Sequence, residues 1–391
     1  MRNRGKKQHL DRQCPEGFQE AERLEILPDK GALPRQMRNW NGGKQMKAAR
    51  MYGVNDIRVE ECAIPQMGPD EILLKVKAAA ICGTDLRMIQ NGDKRIDREH
   101  PRILGHEISG IIEAVGEKIT RYQKGMHVCL APNMGCGVCN QCVSGNTHLC
   151  DDYQAFGINI DGGFAEYMRI PAEAAAQGNL MVINEKVDFG EAALLEPASC
   201  VMNGQSRVNI RLNDTVLVIG AGPIGLMHAL IAKASGAGRV YMRDLSEERL
   251  RQCTEIDNDL VPVYGQNLLE QIMDFTGGKG VDVCVVACPS GQAQAESLEL
   301  MAMNGRILFF GGLPQGKDMV SLPSNLIHYR QLSICGSTRA NVEQYRSVAD
   351  MVGNGRLNMK KIISGRYALE DIEDALTYAK SGKGLKTVIE F

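Results

Sequence analysis

The chain has 391 residues, 44% hydrophobic and 24% charged, with 45 Lys+Arg against 47 Asp+Glu and a formal net charge of −2. So even a balance excludes a protein built to bind nucleic acid or an anionic membrane by charge, and no apolar stretch reaches the roughly 20 residues of a transmembrane helix. The length allows two domains, each with its own core, and thirteen cysteines without a sign of secretion fit a reducing, cytoplasmic setting.

Residues 1–45 carry ten Lys/Arg against six Asp/Glu and show no hydrophobic periodicity. The missing apolar h-region excludes a signal peptide, and the acidic residues argue against a transit peptide. Disorder is expected, with at most a short helix over residues 19–27; the sole tryptophan, Trp40, falls in this segment. A sharper expectation is that the segment is not translated. Asn41-Gly42-Gly43-Lys44-Gln45 precedes Met46, Gly-Gly codons can spell a ribosome-binding sequence, and the regular pattern begins at Met46.

From Met46 to about Glu196 the pattern is mostly β. Short apolar alternations at 71–76 and 108–115 are separated by Gly, Pro and Asn turn residues. Two motifs with metal-ligand chemistry lie in this half. Cys82-Gly83-Thr84-Asp85 follows the apolar run at 78–81, and Gly105-His106-Glu107 comes later. Thiolate, imidazole and carboxylate are all competent zinc ligands. A third motif is tighter: Cys136, Cys139, Cys142 and Cys150 form C-x2-C-x2-C-x7-C. One short loop can fold these four thiolates into a tetrahedron around zinc with no position left open, which marks a structural site.

From about Asn213 strands and helices alternate, the signature of a doubly wound parallel sheet. Strands are expected at 215–219, 239–243, 281–287 and 305–310, with helices through 223–235 and from 247. Between the first strand and helix stands Gly220-Ala221-Gly222-Pro223-Ile224-Gly225, a G-x-G-x-x-G fingerprint. Gly220 permits the tight turn, Gly222 lets backbone approach a pyrophosphate, and Gly225 allows close helix–strand packing. Pro223 suits the first helical turn, whose free N–H groups attract phosphate. Asp244 ends the second strand, where a carboxylate bonds ribose hydroxyls and repels a 2′-phosphate, so NAD(H) is expected over NADP(H). Arg243 and Arg249 are each near enough in sequence to reach a phosphate, and Arg249 is counted with the cofactor site. Gly311 and Gly312, after the strand at 305–310, are expected to let backbone approach the nicotinamide. The chain ends in helical segments at 342–352 and 369–381 and a strand at 387–391, expected to fold back on the first domain.

With these motifs in family order, and with Gly163-Phe164-Ala165-Glu166-Tyr167 between them, residues 46–391 resemble the zinc-dependent medium-chain dehydrogenases. Leu195-Glu196-Pro197-Ala198-Ser199-Cys200 is similar to the Glu-Pro segment of their sorbitol and threonine dehydrogenase branch. The resemblance implies an α/β fold: a Rossmann sheet (201–340) plus a mainly-β GroES-like catalytic domain (46–200) with a zinc lobe, the last residues (341–391) returning to it. It implies a catalytic zinc held by Cys82 and His106, with Glu107 and Glu196 sharing the carboxylate duty, and Thr84 as the hydroxyl that takes the alcohol proton. It also implies a homotetramer or homodimer built through the nucleotide domain. The family often continues the proton relay with a histidine five residues after the cysteine ligand. Here that residue is Arg87, which stays protonated and is a poor shuttle, but could contact cofactor phosphate or an anionic substrate.

The expected function is zinc- and NAD-dependent oxidation of a secondary alcohol, a polyol, cyclitol or sugar derivative. Threonine, a vicinal diol or a sugar-alcohol phosphate are alternatives within the family, and a non-catalytic zinc- and NAD-binding protein is the alternative from another class. A zinc-free quinone or enoyl reductase is disfavoured by Cys82, His106 and Asp244. His100, His127, His148 and His328, and Cys200, Cys284 and Cys288, read as structural. The start at Met46 makes a direct prediction: the intact mass of the native protein should lack residues 1–45, and a species beginning at Met1 would refute it.

Overall fold

The strand Ile72–Ala80 is apolar at nearly every position and buried along its length, because it lies in the middle of a sheet rather than on its surface. Antiparallel neighbours flank it: Glu107–Val115 on one side and Lys386–Glu390 on the other, with Tyr167–Ile170 pairing at its start. The sheet continues through His127–Leu130 to Leu180–Val182 at one edge and reaches Ile363–Ala368 at the other. The C-terminal strand is thus an interior strand of the sheet formed by the first half of the chain. A smaller three-stranded sheet places Gln45–Gly53 between Asp56–Ala63 and Arg102–Ile103. This computed structural model describes Gly43–Phe391; Trp40 and the helix expected at 19–27 lie outside the described residues.

The second sheet has six strands, all parallel, in the spatial order Val261–Val263, Arg239–Arg243, Thr215–Ile219, Val281–Val286, Met301–Phe309, Ser333–Gly336. In sequence this is 3-2-1-4-5-6, the doubly wound order whose reversal beside the first strand opens a crevice for a dinucleotide. The fold is therefore the expected α/β one. The strand expected at 305–310 begins earlier, at Met301. Asn304 takes a positive φ of 61° within it, and the register shifts opposite Val281/Val283. An irregular strand has no clean period to read.

Helix Leu195–Val208 joins the two sheets. Its buried residues Leu195, Ala198, Val201 and Val208 belong to one core with Ala78 and Ala80 from the first sheet and Val216, Val218, Val283 and Val285 from the second. Helix Val342–Gly353 packs on it, opened by a capping box in which Asn341 and Gln344 bond each other's backbone N–H. Among the described residues no helix is long and apolar enough to cross a membrane.

Gly105 shows how tightly the first sheet is tuned. It has φ +86°, and a Cβ there would lie 2.7 Å from Phe164 Cδ1. Gly105→Ala combines a left-handed backbone penalty with overpacking, at a cost of about 1–3 kcal/mol. A lower denaturation midpoint is expected, and an unchanged midpoint would show that the aromatic ring simply moves aside.

Candidate active site

Cys82 is the N-cap of helix Gly83–Asn91, and three residues on, Asp85 bonds back to it: Cys82 N donates to Asp85 Oδ2 at 2.9 Å. The other oxygen, Oδ1, accepts from Gly105 N at 3.2 Å and lies 3.5 Å from His106 Nδ1. Asp85 is wholly buried, so one carboxylate draws the start of a helix and the start of strand Glu107–Val115 together. Cys82, His106 and Glu107 consequently each offer a ligand atom, all within 4.8 Å of one another.

The electrostatics of this triad suit a cation. Burial works against charge on the His106 ring, yet the Asp85 and Cys82 charges outweigh it and lift its pKa well above the ordinary value. Soft thiolate, imidazole and carboxylate together are the donor set of zinc. Glu107 is raised to about 7, by burial first, with Lys386 opposing and Glu196 adding to the rise. Glu196, in the first turn of Leu195–Val208, lies outside the triad but is raised by the same burial, with His106 and Lys386 opposing. The Cys200 thiol, one turn further, donates to Glu196 Oε1 at 3.5 Å. Thr84 Oγ1 accepts from Arg87 Nη2 at 3.2 Å, the guanidinium folding back along an exposed helix face.

The four-cysteine loop closes as its spacing suggests. Cys136, Cys139, Cys142 and Cys150 bring their sulfurs within 4.8 Å of one another. Backbone N–H groups of Val138 and Cys139 point at Cys136 Sγ and lower its pKa to about 7, readying the thiolate a metal needs. Gly135 is required here, since a Cβ would lie 2.4 Å from Cys142 Sγ. The lobe is tied to the segment after the second sheet: Asn341 Nδ2 donates to Gly145 O at 3.0 Å, and Arg339 Nη1 donates to His148 O at 2.9 Å. Asn203, on the helix that carries Glu196, donates to Thr338 O and Arg339 O at 3.1 and 2.8 Å. Arg339 lies 3.9 Å over the Tyr153 ring, and Tyr153 is itself within electrostatic reach of His106 and Glu196.

At the second sheet, Thr215–Ile219 turns through Gly220 into helix Pro223–Ala234, with Gly222 as N-cap and Pro223 first in the helix. A Cβ on Gly225 would stand 1.7 Å from Gly220 O, so nothing larger fits. Asp244 Oδ2 accepts from Ala221 N at 2.7 Å and Oδ1 from Ser246 N at 2.9 Å. Each oxygen keeps a lone pair for another donor. Gly220, Asp244, Arg249 and Cys288 line a cavity of about 810 Å³. Arg243 also lines it, but its Nη1 is engaged with Asp244 O at 2.7 Å. Gly311 packs where a Cβ would lie 2.6 Å from Cys288 O, while Gly312 has open space. Packing alone thus demands glycine at the first of these.

Asp85, Lys386, Tyr153 and Arg339 belong to this region without standing out in the sequence as site residues. Asp85 had a legible signal, an acid three residues after an N-cap cysteine. The other three lie far along the chain from the residues they touch and carry no local signature.

Two family models match: the alcohol dehydrogenase GroES-like domain over residues 68–179 and the zinc-binding dehydrogenase domain over residues 223–354. The chain is 32% identical to a sorbitol dehydrogenase of Bacillus subtilis over 86% of its own length and 94% of that protein's. It is 31% identical to an L-threonine 3-dehydrogenase of Pyrococcus furiosus, over 88% and 97%. A short chain alcohol dehydrogenase from E. coli complexed with NADH superposes with TM-score 0.80 at 28% identity, over 89% of this chain and 100% of that one. A putative zinc-binding dehydrogenase from Sinorhizobium meliloti bound to NADP gives 0.80 at 29%, with the same coverage. The chain belongs to the zinc-dependent alcohol dehydrogenase family, enzymes that oxidise alcohols with a nicotinamide cofactor.

Proposed function

We propose that this enzyme oxidises a secondary alcohol on a polyol, cyclitol or sugar derivative to the ketone, with NAD+ as hydride acceptor. The observation that carries the reading is the Cys82–His106–Glu107 triad, its imidazole and carboxylate buried, with Thr84 two residues after Cys82, in a chain whose second sheet has the dinucleotide order. Cys82, His106 and Glu107 would hold the catalytic zinc, with Glu196 sharing the carboxylate duty. Bound there, zinc supplies Lewis acidity that lowers the pKa of an alcohol oxygen. Asp85 orients His106 and fixes the helix start that presents Cys82. Thr84 takes the alcohol proton, and Arg87, bonded to that hydroxyl, holds its orientation. Cys136, Cys139, Cys142 and Cys150 hold a second, structural zinc.

On the cofactor side the turn Gly220–Gly222 and the first helical turn at Pro223, Ile224 and Gly225 bind the pyrophosphate. Asp244 takes the adenosine ribose, Arg249 closes that cavity, and Gly311 and Gly312 give room near the nicotinamide. NAD+ supplies the carbon that accepts hydride. We assign residues 46–200 with 341–391 to the catalytic domain, 201–340 to the nucleotide domain, a homotetramer or homodimer as the working form and the cytoplasm as its place. Asp244→Asn removes the repelling charge but keeps the shape. Since a hydrogen bond to a charged group contributes about 1.5–3 kcal/mol, preference for NAD+ over NADP+ should fall about 10–100-fold; an unchanged ratio would move discrimination to another residue.

The polyol assignment is supported by Glu196 and by the likeness to a sorbitol dehydrogenase, and the likeness to threonine dehydrogenases keeps threonine as the second reading. NADH formation followed across sorbitol, xylitol, ribitol, myo-inositol, galactitol 1-phosphate, threonine and 2,3-butanediol, with and without a zinc chelator, separates them. Chelator-sensitive oxidation of a polyol or cyclitol is expected, and activity confined to simple primary alcohols would overturn it. A preference for the phosphate that vanishes in Arg87→Gln would make Arg87 its anchor. Cys82→Ser should abolish oxidation and leave NADH binding intact; retained oxidation would displace Cys82 from the mechanism.

A further inference from the structure

Lys386 is a buried lysine at the start of the C-terminal strand Lys386–Glu390. Its Nζ donates to Glu107 Oε1 at 2.7 Å, lies 2.6 Å from Glu107 Oε2, and donates to Ile81 O at 2.9 Å. Ile81 immediately precedes Cys82 and Glu107 immediately follows His106. A single ammonium therefore bridges the two segments that present the triad. Sheet register explains how it arrives there. Ala80, at the end of the middle strand, pairs with Glu107 on one side and with Val388 on the other. Ile81 N also donates to Thr387 O at 2.9 Å. The last strand thus reaches, beside the middle one, the ends of the segments that carry Cys82 and His106.

We propose that Lys386 is a positioning residue for the catalytic metal: it holds the Glu107 carboxylate and the Ile81–Cys82 backbone in one arrangement, so that the C-terminal strand sets how tightly zinc is retained. This rests on the zinc reading of the triad. Two features of the site call for such a group. Thiolate and carboxylate donors crowd one largely buried site, and a fixed cation behind one of them offsets their mutual repulsion. Partners behind a ligand also orient it, and their loss typically weakens metal binding. Burial keeps Lys386 from touching substrate, so its effect passes through Glu107. Three donors on a compact ammonium suit a site with two acceptor residues on different segments; a planar guanidinium reaches them differently.

The test is zinc release from purified holoenzyme to 4-(2-pyridylazo)resorcinol, comparing wild type, K386Q and K386R. Two phases are expected, and C82S, which removes a donor from one site only, identifies the catalytic phase. K386Q should accelerate that phase about 10–100-fold and leave the four-cysteine phase unchanged; K386R should accelerate it less. Equal acceleration of both phases means general loosening and overturns the proposal, as does an unchanged catalytic phase in K386Q. If K386Q does not fold, K386R decides: selective acceleration supports the role and wild-type release removes it. A wild type with no Cys82-dependent phase would remove the zinc assignment, and the Lys386 role with it. An intact phase indifferent to Lys386 removes the Lys386 role alone.

Discussion

A carboxylate buried away from water must be met by donors, and Asp85 is met by three groups from two segments of the site. Its two oxygens take the Cys82 and Gly105 N–H groups and face the His106 ring. The strand end that carries Cys82 and the strand start that carries His106 and Glu107 cannot drift apart without stranding that charge. Everything chemical in the first sheet is organised around this constraint. Thr84 sits beside Asp85 on the same helical turn, and the glycine at 105 exists because the chain must turn with a left-handed residue under Phe164.

The triad shares its surroundings with a second carboxylate, Glu196, supplied by the helix that seals the two sheets to each other. That helix is buried on the sides facing both sheets, so its first turn is held by the core rather than by a loop. Two acids that feel the same buried imidazole are both raised, which favours one charge at a time in the absence of a metal. A divalent cation reverses that preference. The arrangement is thus better suited to a metal than to two isolated carboxylates.

The four-cysteine lobe is more than a knot in one loop. Hydrogen bonds from Asn341 and Arg339 fasten it to the segment leaving the second sheet, and Asn203 fastens that segment to the helix of Glu196. Arg339 keeps a positive φ of 54° there while covering Tyr153, a strained geometry held by its neighbours. The lobe therefore braces one wall of the region around His106 and Glu196.

Much of this was legible along the chain, because it is local. The cysteine spacing, the glycine fingerprint with its acid at the end of the next strand, and Cys82 and His106 with their neighbours all show themselves within a few residues. The strand–helix alternation announced the doubly wound sheet for the same reason: side-chain periodicity is a short-range property. Tertiary structure decided the rest. Only sheet register puts Lys386 on Glu107 and the chain's last strand beside the strand that leads to Cys82, and only packing brings Arg339 over Tyr153. These contacts join residues far apart in sequence, through backbone pairing and burial that leave no pattern at either end. The sequence by itself determined which donors the protein has; the fold determined which of them share one buried charge balance.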